Sequence, residues 1–538
     1  MINNLVEKKQ FHLNMFKMNC SSGFTKMNSL NIFNKFIVKR ASSSNKPNVS
    51  VYNWKTKTKV FLKNSRMLTW YICGPTVYDS MHIGHACCYV KFDIVRRILE
   101  NYFQRTVVQV MNITDIDDKI ITKAKRLNKD PFQVAREYEM EFVQDMHLLN
   151  IKQPDILARV TEFIPEIKHF IQNLIEKDLA YSSVDGSIYF DTTKYNKYGK
   201  FVKVPDIVSN SIKKSSLDFA LWKAAKPGEP FWDSCWGPGR PGWHIECSAI
   251  ASYYFGSNVD LHSGGIDLLF PHHENEEAQC CAYHDVDNWV ENWIYTGHLH
   301  LGDNVKMSKS LKNTVSVKEV LKTYTANEFR VLCLLSNYKN DVEFNEQSME
   351  MARKTLNKFE SFLFNCSSHL KNKQNVQAPK TSLLHTLTET ESEVLNNLAD
   401  NFDTSKALQS LICLMNAYNK YFTKDQRFDC SSLEVMLASN IVSKTLDNLG
   451  VDLVKTNVLD NSCNIGLVID LIVDFRTNLR QLALNSGSSL NKQDVLKLCD
   501  LLRNDMSSVN IKIQDSNKYS VWTYSEAIPK ELQELTES

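Results

Sequence analysis

The strongest constraint on this chain is a strand–helix–strand pattern packed into about 45 residues near its start. Residues 68–73 (Leu-Thr-Trp-Tyr-Ile-Cys) form a short apolar run ending at Gly74-Pro75, which reads as a buried strand closed by a turn. Val90, Ile94, Val95, Ile98, Leu99 and Tyr102 then keep the i, i+4 rhythm of a helix, and Val107-Val108-Gln109-Val110-Met111 supply a second strand. Two strands joined by a helix run parallel, so the chain is expected to build an open α/β sheet with helices on its faces. Such sheets bind ligands at the carboxyl ends of their strands, which directs attention to the residues after position 72.

Beyond this unit the pattern is mixed. Residues 120–180 read as helical, with Leu148, Ile151, Ile164, Ile167 and Ile171 marking apolar faces, and 186–191 (Gly-Ser-Ile-Tyr-Phe-Asp) reads as a strand. A polar surface loop is expected at 213–216 and a rigid irregular segment at 236–242, which is dense in Gly and Pro. The apolar runs 250–255 and 259–261 are expected to return to the sheet. After about residue 345 glycine becomes rare and long helical patterns dominate, for example 395–418; 367–382 reads as a polar linker, 467–505 as helical and 509–524 as a small hairpin.

Two segments carry the chemistry. The first, Cys73-Gly74-Pro75-Thr76-Val77-Tyr78-Asp79-Ser80-Met81-His82-Ile83-Gly84-His85, lies where the first strand meets the first helix. A helix N-terminus there offers N–H groups and a positive dipole end to phosphate, Gly84 permits close approach of a nucleotide, and His82 and His85 can donate to phosphate oxygens. The second, Lys306-Met307-Ser308-Lys309-Ser310, places two lysines among small residues, as in a loop that grips polyphosphate. Either alone is weak. Together and in this order, His-Ile-Gly-His and Lys-Met-Ser-Lys-Ser resemble the paired signatures of class I aminoacyl-tRNA synthetases.

The residues between the signatures resemble one branch of that class, the cysteinyl-tRNA synthetases. The resemblance is carried by residues 71–79, by Asn112-Ile113-Thr114-Asp115-Ile116-Asp117-Asp118-Lys119, by Gly239-Arg240-Pro241-Gly242-Trp243-His244-Ile245-Glu246-Cys247-Ser248 and by Phe270-Pro271-His272-His273-Glu274-Asn275-Glu276. It is continuous from about residue 68 to 345, thins through Asp400-Asn401-Phe402-Asp403-Thr404, and is faint near 511–522. Asp218-Phe219-Ala220-Leu221-Trp222-Lys223 is most similar to mitochondrial members. The implied fold is α/β: a Rossmann-like parallel sheet with an insertion, then an α-helical bundle and a small C-terminal anticodon-binding region. The expected division is a leader over 1–48, catalytic halves at 49–160 and 239–302 around a connective insertion at 161–238, a signature-loop region at 303–345, a bundle at 346–460 and the anticodon-binding region at 461–538.

The resemblance also implies a site. A zinc ion would be held by Cys73, Cys247, His272 and Glu276, one per chain, and would separate cysteine from the near-isosteric serine by binding thiolate, since a hydrophobic pocket cannot strongly reject a near-isostere. His272 and Glu276 are four apart and share a face if helical, whereas His273 would point about 100° away, as a structural or substrate contact. Gly74, Thr76, Thr114, Trp243 and His262 would line the cysteine pocket. Gly84, Asp267 and Lys309 would bind ATP with its Mg²⁺, and His82, His85, Lys306 and Lys309 would be the catalytic groups. Where the family often has a third glycine, this chain has Ser263. The implied partners are ATP, L-cysteine and tRNA(Cys), and the expected oligomeric state is a monomer. Family members also make cysteine persulfide with pyridoxal phosphate on a Lys-Ile-Ile-Lys segment; here Lys119 and Lys123 are spaced one residue further, a turn of about 100° round a helix.

Composition narrows the setting. Residues 1–48 hold one acidic residue, Glu7, against Lys8, Lys9, Lys17, Lys26, Lys35, Lys39, Arg40 and Lys46, which fits a mitochondrial transit peptide, with the matrix as location, ahead of a disordered basic tail that could bind RNA. No apolar run reaches the roughly 18 residues of a membrane span. The 14 cysteines in so long a chain do not read as a disulfide framework, and a net charge of +2 leaves any RNA contact to local patches. Two other readings stand against the synthetase: the related ligase that joins cysteine to glucosaminyl-inositol, which lacks an anticodon-binding tail, and a catalytically silent RNA-binding protein, in which His85 or Lys309 would be the first residues lost.

Overall fold

The computed structural model describes residues 46–202, 213–301, 305–306, 315–371, 381–423 and 431–453, with 472–473, 475–477, 479–481, 492–508, 511–515 and 520–524 nearer the C-terminus. The leader expected over 1–48 therefore lies, but for its last three residues, outside the described residues. So do Lys309 and most of the second signature.

The expected parallel sheet is present and has five strands: β1 (Met67–Ile72), β2 (Thr106–Ile113), β3 (Ile156–Arg159), β4 (Val259–Gly265) and β5 (Val290–Thr296), all parallel, in the spatial order 3-2-1-4-5. The order reverses between β1 and β4, and that crevice is where an open α/β sheet binds ligand. Trp70 and Leu261 on the central strands are wholly buried, as strands covered on both faces require. Helix α1 (Ile83–Asn101) crosses from β1 to β2 and buries Val90, Ile94, Val95, Ile98 and Leu99, the residues of the i, i+4 pattern.

Two expectations about the sheet fail, each for its own reason. The stretch 120–180 is not helical throughout. It divides into α2 (Asp118–Leu127), α3 (Pro131–Leu148), the edge strand β3 and α4 (Ile164–Glu176). Asn128 closes α2 in the left-handed region, Asp130 caps α3 by accepting from Gln133 N–H, and Pro131 opens it. Conversely the run 250–255 is not a strand but the second half of α5 (Trp243–Phe255), in which Ile245 to Ala251 are buried without interruption. A four-residue edge strand carries too little alternation to be seen, and a helix buried all round loses the period that would mark it.

Between α4 and α5 a four-stranded antiparallel sheet, Ala180–Ser182, Ile188–Phe190, Phe219–Ala224 and Gly239–Pro241, stands on the catalytic sheet. The expected irregular segment 236–242 thus contributes a strand, and in the expected surface loop 213–216 Ser215 is buried, its N–H donating to Asp218. Helix α6 (Glu274–His284) follows β4, and α7 (Ala326–Leu334) precedes the helices Glu346–Lys371, Thr381–Ala399, Thr404–Thr423 and Ser432–Asn448. These share one core with β1 and α1, from Trp70 to Leu411. The pattern read as one helix over 395–418 is broken at Asn401 and Phe402, both left-handed with φ near 55°. Asn401 is used instead to tie the N-terminal strand Ser50–Asn53, accepting from Tyr52 N–H at 2.7 Å, while Asp403 accepts from Lys406 N–H at the start of the next helix. The expected C-terminal hairpin is present as Ile511–Asp515 paired with Ser520–Tyr524. Among the described residues no helix is long and apolar enough to cross a membrane.

Candidate active site

Cys73 leaves β1 at the crevice with its N–H donating to Ser263 O of β4. The next residue must be glycine: a Cβ on Gly74 would stand 1.7 Å from the carbonyl oxygen of Asn112 on β2. Gly74 N–H donates to Asn112 Oδ1 at 2.9 Å, and Thr76 bridges to Thr114, so the first signature is strapped to the end of β2. Ser263, in place of a glycine, accepts from the indole N–H of Trp70 at 2.8 Å and so ties β4 to β1.

His82 caps α1: its Nδ1 accepts from His85 N–H at 3.3 Å, and the two rings stack at 3.9 Å. Gly84 is tight against His82. The segment after the second signature meets this helix start. Ile83 N–H donates to Val315 O at 3.0 Å and Val317 N–H to Met81 O at 3.4 Å, so the segment leaving 307–314 is bonded to the first signature. On the entering side Lys306, described in backbone only, pairs with His300 in the strand Val305–Lys306.

A cavity of about 830 Å³ opens at this place, lined among others by Gly74, Thr76, His82, Gly84, His85, Trp243, Asp267 and His272. It extends past Lys119 and Lys123 of α2, which stand over the rings of Tyr78 and Tyr138.

At its floor lies a buried cluster of sulfur, nitrogen and oxygen atoms. Cys73 comes from the end of β1, Cys247 from the first turns of α5, His272 and His273 from the turn before α6, and Glu276 from its first turn. His272 Nε2 is 2.9 Å from Glu276 Oε1 and 3.6 Å from Cys247 Sγ; Cys73 Sγ is 3.6 Å from Glu276 Oε1 and 3.9 Å from Cys247 Sγ. His273 does not turn away as expected. Its Nε2 lies 3.3 Å from Cys73 Sγ and its Nδ1 2.7 Å from the Tyr295 hydroxyl. The reason is local: residues 269–273 are not regular α-helix, with Phe270 extended (φ −142°, ψ 134°), so the 100° step does not apply. Cys73, His272, His273 and Glu276 each offer an atom within 4.8 Å of the others, and Cys247 flanks them.

His262 also departs from expectation. It is fully buried behind Glu276 rather than in the cavity wall, its Nε2 2.8 Å from Glu276 Oε2 and its ring stacked on Trp293 at 4.4 Å. Thr114 is likewise inside, its hydroxyl donating to Glu246 Oε2 at 2.7 Å.

The electrostatics are those of an ion-paired nest. Burial opposes ionisation of Glu276, but His262 and His272 outweigh it and hold the carboxyl well below its usual range. Burial likewise opposes charge on His272, yet Glu276 and Cys247 raise it to about 10. Of the two thiols, Cys73 is pushed up by burial and by Cys247, while Cys247, against burial, is drawn down to about 6 by hydrogen bonds from Cys73 and His272. Two sulfurs, imidazole nitrogen and a carboxylate oxygen, dry and convergent, are a donor set suited to zinc.

The sequence reading passed over His244, whose Nδ1 is 2.8 Å from His272 Nδ1, and Asn112 and Glu246. The signal for His244 was present, because Trp243, His244 and Cys247 are spaced to share one face of a helix.

The 3-2-1-4-5 sheet, with a paired-histidine helix start at its switch point bonded to the segment following the second signature, defines a class I aminoacyl-tRNA synthetase. Residues 59–354 match the tRNA synthetases class I (C) catalytic domain. The chain is 41% identical over 88% of its length to a Xenopus tropicalis protein named "Probable cysteine--tRNA ligase, mitochondrial", covering 89% of it. It is 36% identical to the cysteine--tRNA ligase of Thermococcus onnurineus, over 88% of this chain and 98% of that one. Its fold is shared with Mycobacterium tuberculosis methionyl-tRNA synthetase bound by methionyl-adenylate, at a TM-score of 0.55 and 14% identity over 71% of this chain and 91% of that one. The chain belongs to the cysteine--tRNA ligase family and is an enzyme of that class.

Proposed function

We propose that this enzyme charges tRNA(Cys) with L-cysteine for translation in the mitochondrial matrix, acting as a monomer, with one zinc ion per chain at the cavity floor and Mg²⁺ accompanying ATP. The observation that carries the zinc reading is the cluster itself: two thiols, His272 and Glu276 converge, buried, at the floor of the cavity whose rim is the first signature. Cys73, Cys247, His272 and Glu276 would hold the ion, with His273, its Nδ1 tied to Tyr295, turning its Nε2 to Cys73 at 3.3 Å beside them. Bound there, zinc supplies preference for a thiolate over a hydroxyl.

The chain's own residues do the rest. Gly74, Thr76 and Trp243 form the wall against which the amino acid lies, and Thr114 and His262 support it from behind. Asp267 faces the ribose. Gly84 and the α1 N-terminus receive the phosphates, and His82 and His85 donate to their oxygens as the cysteine carboxylate attacks the α-phosphorus and pyrophosphate leaves. Lys306 and Lys309 neutralise that leaving charge. The terminal ribose hydroxyl of tRNA then attacks the activated carbonyl carbon and AMP departs. The bundle at 346–460 and the region at 461–538 would hold the anticodon arm, and 303–345 the stem. The relative of mitochondrial name and the basic leader support the location.

Cysteine-dependent exchange between ATP and pyrophosphate, followed by cysteinylation of tRNA(Cys), tests the reading. Exchange without tRNA charging would favour the metabolic ligase, and no exchange the silent protein. A fusion of residues 1–48 to a fluorescent reporter tests the location, and diffuse cytosolic signal would remove it.

A further inference from the structure

We propose that His244 is a positioning residue for the metal centre, accepting the Nδ1 proton of His272 and so keeping His272 Nε2 a lone-pair donor toward the two thiols and Glu276. The proposal rests on the zinc reading above.

The geometry comes from one turn of helix. Trp243, His244 and Cys247 occupy the first turns of α5, with His244 three residues and Trp243 four before Cys247, so all three project to one side. Each meets the cluster differently. Cys247 presents its sulfur 3.6 Å from His272 Nε2. His244 meets the opposite edge of the same ring, Nδ1 to Nδ1 at 2.8 Å. Trp243 lies on its face at 4.2 Å and 26°. The His272 ring is therefore fixed in plane and in rotation by residues delivered with a donor sulfur.

Two ring nitrogens at 2.8 Å need a proton between them, because two lone pairs would repel. The inward nitrogen of His272 faces Cys247 and Glu276, and a metal ligand must offer a lone pair there. That leaves the proton of neutral His272 on Nδ1 and makes His244 Nδ1 the acceptor. Ligating histidines regularly donate their second N–H to a fixed acceptor; here the acceptor is an imidazole rather than a carboxylate or carbonyl. His244 is itself held by the edge-on ring of Phe219, at 5.5 Å and 81°, from the antiparallel sheet of the insertion. The insertion is thereby mechanically connected to the centre that reads the amino acid.

The test compares the full-length protein with His244→Phe, which keeps a ring but has no acceptor, and His244→Asn, whose amide oxygen can accept the same proton. Zinc affinity is measured by competition with a chromophoric chelator, and the ligand field by the visible bands of the cobalt-substituted protein. His244→Phe should weaken zinc binding about 10–100-fold and shift the cobalt bands, and His244→Asn should return to within about threefold of the parent. Should the phenylalanine disturb folding, His244→Ala removes the acceptor without bulk and carries the same expectation. Parent-like zinc affinity and cobalt bands in His244→Phe, or equal losses in the Phe and Asn variants, would overturn the proposal. A parent protein that binds no zinc would remove the zinc reading itself, and that result appears before any variant is made.

Discussion

Replacing Gly74 by alanine should disable adenylate formation by displacing the backbone that carries the first signature. The added Cβ would lie 1.7 Å from Asn112 O and 2.9 Å from Asn112 C and Met111 Cγ. The obstacle is backbone in the centre of a parallel sheet, so it cannot swing aside as a side-chain tip would. Reaching even the shortest tolerated contact, near 3.0 Å, moves the 73–75 segment off β2 by more than 1 Å. That displacement breaks the Gly74 N–H bond to Asn112 and carries Cys73 Sγ away from Glu276 and Cys247, now 3.6 and 3.9 Å distant. A misplacement of about 1 Å costs on the order of 10²-fold in rate. Cysteine-dependent ATP–pyrophosphate exchange should therefore fall by about 10²-fold, with zinc content falling in parallel. Exchange within threefold of the parent, at full zinc content, would refute the view that Gly74 sets the distance between the first signature and β2.

Other perturbations have distinct signatures. Cys247→Ser should lose zinc, or keep it with cysteine-over-serine discrimination reduced to about 10²-fold, the ceiling for a near-isostere in an apolar pocket; metal analysis and exchange with each amino acid measure this. Lys309→Ala should slow single-turnover adenylate formation by about 10²–10³-fold while cysteine affinity stays as in the parent, because the contact strengthens only as charge moves onto pyrophosphate. Arg330→Met should lower stability by about 1–3 kcal/mol in urea unfolding, since Arg330 and Asp93, each 1% exposed, form a buried pair in which Asp93 keeps Arg97 at 2.8 Å while buried carbonyls lose their donor. Arg330 also donates to the carbonyls of Leu149, Asn150 and Leu449, joining α1 and the end of α3 to the end of the last bundle helix, so tRNA charging should fall more than exchange does.

The central fold was legible because its signals were local. β1, α1 and β2 each carry an undiluted period within about 45 residues, and the turn at Gly74-Pro75 punctuates them. What was misread was misread physically. The strand Ile156–Arg159 has only Ala158 buried, so no alternation survives. Helix α5 is buried on all sides from Ile245 to Ala251, and its second half imitates a strand. At Asp400 to Thr404 the helical rhythm continues in the side chains while the backbone leaves it, because Asn401 and Asp403 spend their side chains on neighbouring N–H groups.

The site shows a different limit. Its other donors stand 174 to 203 residues after Cys73 in sequence, brought to it by the reversal of strand order between β1 and β4. Spacing rules detect ligands that share a loop or a helix face, so only the His272–Glu276 pair was readable in that way. Resemblance supplied the other two, but it transfers residue identities and not their surroundings. It therefore put His262 in the cavity wall, although that ring stands behind Glu276, whereas it was the regular-helix rule that turned His273 outward. The error at His273 arises where the backbone departs from the ideal period at 269–273, the same departure that brings two adjacent histidines onto one cluster. A segment that must present consecutive side chains to one point cannot be a regular helix, whose neighbours diverge by 100°. An adjacent His-His pair beside a Gly-rich strand end is thus better read as a break in the helix than as one ligand and one bystander.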